Sequence, residues 1–153
     1  MKENDKPVTR PVADRDQLLQ QFSQAAVERI LRPANMRPLE KPHGYARTEK
    51  EDGDRAELFL RLEDDRIVEC TFTAQACAAS VACLQAGTEL AAGRSLQQAL
   101  VAVTIEGILE LLGGLPPGNV HCAHAAVALF RSALSDALQM KKDSWKIAYR
   151  KLP

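Results

Sequence analysis

The chain has 153 residues, with 20 Lys and Arg balancing 20 Asp and Glu, and 46% hydrophobic against 26% charged residues. That length fits one ordinary domain, which buries about 68–70% of its unfolded surface, so folding requires neither disulfide nor metal. The zero formal charge argues against wholesale nucleic-acid binding, which usually draws on a basic excess. No run approaches the ~18 apolar residues of a membrane span. The polar start Met1-Lys2-Glu3-Asn4-Asp5-Lys6-Pro7 has no apolar core, so no signal peptide is expected. The cysteines, at 70, 77, 83 and 122, are too sparse for a secreted disulfide framework. A reducing, cytoplasmic setting with free thiols is expected.

Residues 1–13 are polar with two prolines and read as a flexible tail. Asp14 with Gln17 resembles a capping box, and Leu18, Leu19, Phe22, Ala25, Ala26 and Ile30 recur at helical spacing, predicting one helix stopped by Pro33. Residues 32–51 carry Pro33, Pro38, Pro42 and Gly44 with little periodicity and read as an irregular connection. Ala56, Leu58, Leu60 and Leu62 then alternate with polar positions. After the turn Glu63-Asp64-Asp65-Arg66 the inward set is predicted as Val68, Cys70, Phe72 and Ala74. Together they form an antiparallel hairpin with one buried face.

Residues 77–92 are alanine-rich and apolar all round, which predicts a buried helix stopped by Gly93. Ser95 and Gln98 form a second capping box opening a helix to about Val103. Ile105, Ile108, Leu109 and Leu112 make another, ended by Gly113-Gly114. Asn119 is placed to cap a long helix from Val120 to about Gln139. The domain is expected over residues 14–140, and residues 141–153 form a basic tail around Trp145 and Tyr149. The order predicts an α+β fold, a small antiparallel sheet with helices packed on one face.

Cys77 falls where the second strand meets the buried helix, and Cys122 in the first turn of the last helix. Helix N-termini favour thiolate, the form that binds metal or attacks sulfur; the competing reading is a small hydrophobe in an apolar helix. His121 adjoins Cys122 and can border the same helix end. His124 reads as a solvated or core histidine. The acidic loop Glu51-Asp52-Gly53-Asp54 reads either as solvated surface or as carboxylates completing a metal shell. Cys70 and Cys83 read as packing residues. There is no CxxC pair, phosphate loop or GxSxG. A Cys77–His121 hydrolase lacks an evident orienting third group.

Several segments, in one order, resemble the iron–sulfur cluster assembly scaffolds of the IscU type, also found as the N-terminal domain of NifU. They are Val27-Glu28-Arg29-Ile30-Leu31-Arg32-Pro33-Ala34-Asn35, Gly53-Asp54, Phe72-Thr73-Ala74-Gln75-Ala76-Cys77-Ala78-Ala79-Ser80, Gly93-Arg94-Ser95-Leu96 and Leu115-Pro116-Pro117-Gly118-Asn119-Val120-His121-Cys122. The resemblance implies a non-enzymatic scaffold that transiently holds a [2Fe–2S] cluster, with zinc as an alternative occupant. Cys77 and Cys122 would be ligands, and Asp54 and His121 auxiliary ones. It implies a cysteine desulfurase, an iron donor and apo-protein acceptors as partners. Two positions depart from the pattern. Asp52 stands where the family has its first cysteine. Asn119 replaces the lysine of the Leu-Pro-Pro segment, so the chaperone contact ascribed to Leu115, Pro116, Pro117 and Asn119 carries over without that lysine. A degenerate member that binds zinc or a partner, without building a cluster, is the alternative.

Overall fold

The computed structural model describes residues 14–143, together with Trp145 and Tyr149. The expected tail at 1–13 lies outside them, as does most of the basic tail. Among the described residues no helix is long and apolar enough to cross a membrane.

Helices α1 (Arg15–Gln21) and α2 (Gln24–Leu31) replace the single helix expected before Pro33. The break is at Ser23, whose hydroxyl accepts the Ala26 N–H at 3.1 Å and so caps α2. The same hydroxyl bonds the Leu112 carbonyl at the end of a distant helix. Apolar spacing runs through this break without registering it. At the start of α1, Asp14 accepts from the Asp16 N–H, the neighbouring donor to the one a capping box with Gln17 would use.

Strands β1 (Gly44–Glu49), β2 (Arg55–Glu63) and β3 (Arg66–Gln75) form an antiparallel sheet in the order β1-β2-β3. The first of them lies in the segment expected to be irregular. Its inward residues are small because α6 (Val120–Lys142) crosses it closely. A Cβ on Gly44 would stand 2.7 Å from the Ala137 Cβ and 2.8 Å from the Ala133 carbonyl oxygen. A strand made inward of Gly44 and Ala46 shows no apolar alternation, so tertiary contact decides it.

The hairpin turn is as expected, with Asp64 and Asp65 at positive φ (49° and 61°), the conformation of a tight two-residue connection. Beyond it the predicted register is corrected by a bulge. Arg61 faces Glu69 but Leu62 faces Ile67, so Val68 is the extra residue. Ile67 is therefore fully buried and Val68 is 45% exposed, the reverse of the alternation read from the sequence. Phe59, expected outward, is also buried, packed with Tyr45 and Leu39 on the sheet's second face.

The first face, with Leu58, Leu60, Ile67, Cys70 and Phe72, packs with α3 (Ala78–Ala91) and α6 in the main core. Residues 81–88 of α3 are all buried, as a helix apolar all round requires. Helix α4 (Leu96–Ala102) opens on the expected Ser95–Gln98 capping box, and α5 (Ile105–Leu112) ends at Gly113 in the left-handed region. Asn119 is not the side-chain cap anticipated. Residues Pro117–Asn119 form a short 3-10 turn leading directly into α6, and the Asn119 side chain makes no capping bond.

Candidate metal centre

Three pieces of chain converge at one end of the sheet: the β1–β2 loop, the β3–α3 junction and the first turn of α6. Cys77 is extended (φ −67°, ψ 162°) and is the N-cap residue of α3, exposed to solvent. Cys122 is the third residue of α6 and is buried. Their sulfurs lie 3.8 Å apart, although 45 residues separate them in sequence. Both sit at helix N-termini, where unpaired N–H groups and the macrodipole favour negative charge.

Ser80 stands one turn into α3 with its hydroxyl 3.4 Å from the Cys77 sulfur. Burial pushes the Cys77 thiol up, but the Ser80 hydroxyl, the Ser80 and Ala79 N–H groups and the Cys122 thiol together bring it below the ordinary thiol value. For Cys122, burial and the charge on Cys77 outweigh the Ser80 hydroxyl and the Lys50 ammonium, and the thiol is raised. Of the two, Cys77 is the thiol biased toward the charged form. Burial pushes Cys83 up to about 12 and Cys70 further still, which leaves both as packing thiols.

His121 Nε2 lies 3.6 Å from the Cys122 sulfur. His124 is exposed. The acidic segment closes the β1–β2 hairpin: Lys50 N donates to the Asp54 carbonyl at 2.7 Å and Gly53 N to the Lys50 carbonyl at 3.0 Å. Gly53 takes φ +92°, a conformation closed to most side chains. Asp52 is exposed and its Oδ1 accepts the Asp54 N–H at 2.9 Å, which ties one oxygen of that carboxylate to its own turn. Asp54 is half-buried and lines a cleft with Thr48, Lys50, Ser80 and Cys122, floored by Ala56, Leu84 and Leu129. Among the described residues, no three His, Cys, Asp or Glu side chains already stand in a metal-holding group. Leu115 packs against the core, while Pro117 and Gly118 are exposed immediately before α6.

The structure therefore brings the Cys77 and Cys122 sulfurs together, sets His121 beside Cys122 and Asp54 on the adjoining cleft, and ties one oxygen of Asp52 to its own loop. Sequence reasoning named Ser80 only as the end of the Cys77 segment, with no role, and missed Lys50. Ser80 carried a usable signal, three residues after a cysteine that begins a helix. Lys50 carried none.

The model of the NifU-like N-terminal domain matches residues 21–144. An IscU iron–sulfur cluster assembly scaffold protein of Archaeoglobus fulgidus is 34% identical over 84 residues, covering 55% of this chain and 54% of that protein. The chain thus spans about half the length of that relative. The corresponding IscU protein of Aquifex aeolicus is 29% identical over 121 residues, 77% of this chain and 76% of that one. A crystal structure described as a scaffold protein for the SUF system of Fervidobacterium islandicum superposes with a TM-score of 0.61, at 19% identity, over 74% of this chain and 96% of that chain. That likeness concerns the fold. With most of its length matched by one family model, the chain belongs to the NifU-like N-terminal domain family.

Proposed function

We propose that the protein is an iron–sulfur cluster assembly scaffold, with iron and sulfide as its cargo and Cys77 and Cys122 as the anchoring ligands. The observation that carries this reading is the 3.8 Å separation of the two sulfurs. A tetrahedral ion with metal–sulfur bonds of about 2.3 Å spans two sulfurs about 3.8 Å apart. The pair therefore suits two thiolates on one metal ion, and soft thiolates suit iron–sulfur centres. His121, 3.6 Å from Cys122, and Asp54, on the cleft, are the auxiliary ligands; imidazole replaces thiolate on iron in known centres. Asp52 offers a further carboxylate, one oxygen of which is held by its own loop.

Half the shell comes from ligands other than thiolate, which favours a loosely held [2Fe–2S] cluster and ready hand-off. The relatives named as scaffolds support this role. Sulfur arrives from a cysteine desulfurase and iron from a donor, apo-proteins accept the product, and the chain works in the cytoplasm without catalysing a reaction of its own. The exposure of Pro117 and Gly118, immediately before the helix that carries Cys122, supports Leu115, Pro116, Pro117 and Asn119 as the segment a partner grips. The test is transfer. Chain loaded anaerobically with a cysteine desulfurase, cysteine and ferrous iron is mixed with an apo-[2Fe–2S] acceptor, and the acceptor's visible spectrum is followed. Growth of that spectrum in step with loss from the scaffold is expected. Zinc retention with no labile sulfide would overturn the reading in favour of a zinc-binding member of the fold.

A further inference from the structure

The same two sulfurs have a chemistry that needs no metal. They lie 3.8 Å apart as free thiols, and they differ sharply in access: Cys77 is exposed and Cys122 is 3% exposed. A disulfide needs a sulfur–sulfur distance of about 2.05 Å, so closure asks for a shift of about 1.8 Å, within the sweep of a sulfur about its Cα–Cβ bond. No third cysteine stands in the 50–54 loop to compete, and Cys70 and Cys83 are buried at 4% and 0% exposure. One reachable thiol backed by one sheltered thiol at contact distance is the arrangement of an attacking and a resolving cysteine.

We propose that Cys77 and Cys122 form an exchange-active dithiol that reduces small-molecule disulfides and closes to an intramolecular disulfide. The Cys77 thiolate attacks one sulfur of the disulfide RSSR. A Cys77–SR bond forms, the S–S bond of the reagent breaks, and RS⁻ leaves. Cys122 then attacks the Cys77 sulfur, its proton passing to the departing thiolate. The Cys77–Cys122 bond forms and the second RS⁻ leaves. Two protein thiols lose two electrons, and one RSSR becomes two RSH. A low-molecular-weight thiol pool reverses both steps. While closed, the pair offers no thiolate to a metal.

The experiment uses the metal-free full chain and oxidised glutathione, followed by intact mass and peptide mapping. The expected product is lighter than the reduced chain by two hydrogens, with Cys77 linked to Cys122 and two glutathione thiols released. Cys122→Ser should stop at a glutathione adduct on Cys77, and Cys77→Ser should react about tenfold more slowly or less. A stable glutathione adduct on Cys77 of the unaltered chain, or a link to Cys83, would overturn the proposal. Because the readout is metal-free and comes from the unaltered chain, it fails or succeeds independently of the scaffold reading.

Discussion

Cys83 lies in the same helix that Cys77 opens, and Cys70 lies in the strand that leads to it, yet the two pairs live in different chemistries. Cys70 and Cys83 are enclosed by the sheet and by α3, where desolvation raises both thiols and nothing stabilises their charge. Cys77 and Cys122 stand at helix starts, beside a hydroxyl, an imidazole and a lysine. A cysteine's residue type says little. Its place relative to a helix end, and what lies within 4 Å of its sulfur, decides whether it packs or reacts.

The contrast is broken most directly by alkylation of the native, metal-free chain. Cys77 should be modified first, and Cys70 and Cys83 about a thousandfold more slowly or only on unfolding. Comparable native rates at Cys83 would erase the distinction. Next in size are packing effects. Cys83→Ser places a hydroxyl in a fully buried apolar position and should cost about 1–3 kcal/mol of stability in denaturant titration, while leaving metal content per folded chain unchanged. Gly44→Ala should cost a similar amount, about 1–3 kcal/mol, because its Cβ meets α6 at 2.7 Å. An unchanged midpoint would show that α6 yields there.

Ser80→Ala sharpens the comparison at the reactive pair itself. The hydroxyl holds the Cys77 thiol down, so its removal should move the pH profile of Cys77 alkylation to higher pH with little loss of stability; a shift to lower pH would contradict that role. The smallest effect concerns His43. Its Nδ1 accepts the Leu62 N–H at 2.8 Å, which only the unprotonated ring nitrogen can do. Partial burial, and then Arg61, lower its pKa below 6.5. The folded state therefore prefers the neutral ring. This contribution is present above about pH 6.5 and is lost as pH falls through the lowered value. His43→Gln should flatten that limb of the stability-against-pH curve, and an unaltered slope would remove His43 from the account.

The hairpin, the all-round apolar α3, the Ser95 capping box and the Gly113 stop were legible because each leaves a local mark: alternation, composition or turn chemistry. The break at Ser23, the strand at Gly44 and the bulge at Val68 were not, because each is set by contacts with residues far along the chain. At the site, Cys77, Cys122 and His121 were readable as helix-start residues. That Asp52 bonds its own turn while Asp54 lines the cleft could not be read from four acidic-loop residues. Nor could the approach of Lys50, which depends on how the β1–β2 hairpin leans over α6.

The central claim, that Cys77 and Cys122 hold the cargo, is tested most directly by iron, acid-labile sulfide and zinc content per chain after anaerobic reconstitution. The unaltered chain, Cys77→Ala and Cys83→Ser should be compared side by side. The account predicts about two irons and two sulfides with thiolate-to-iron charge-transfer bands in the unaltered chain and in Cys83→Ser, and loss of both in Cys77→Ala. Equal loading in folded Cys77→Ala, or no iron and sulfide in any of the three, would contradict it.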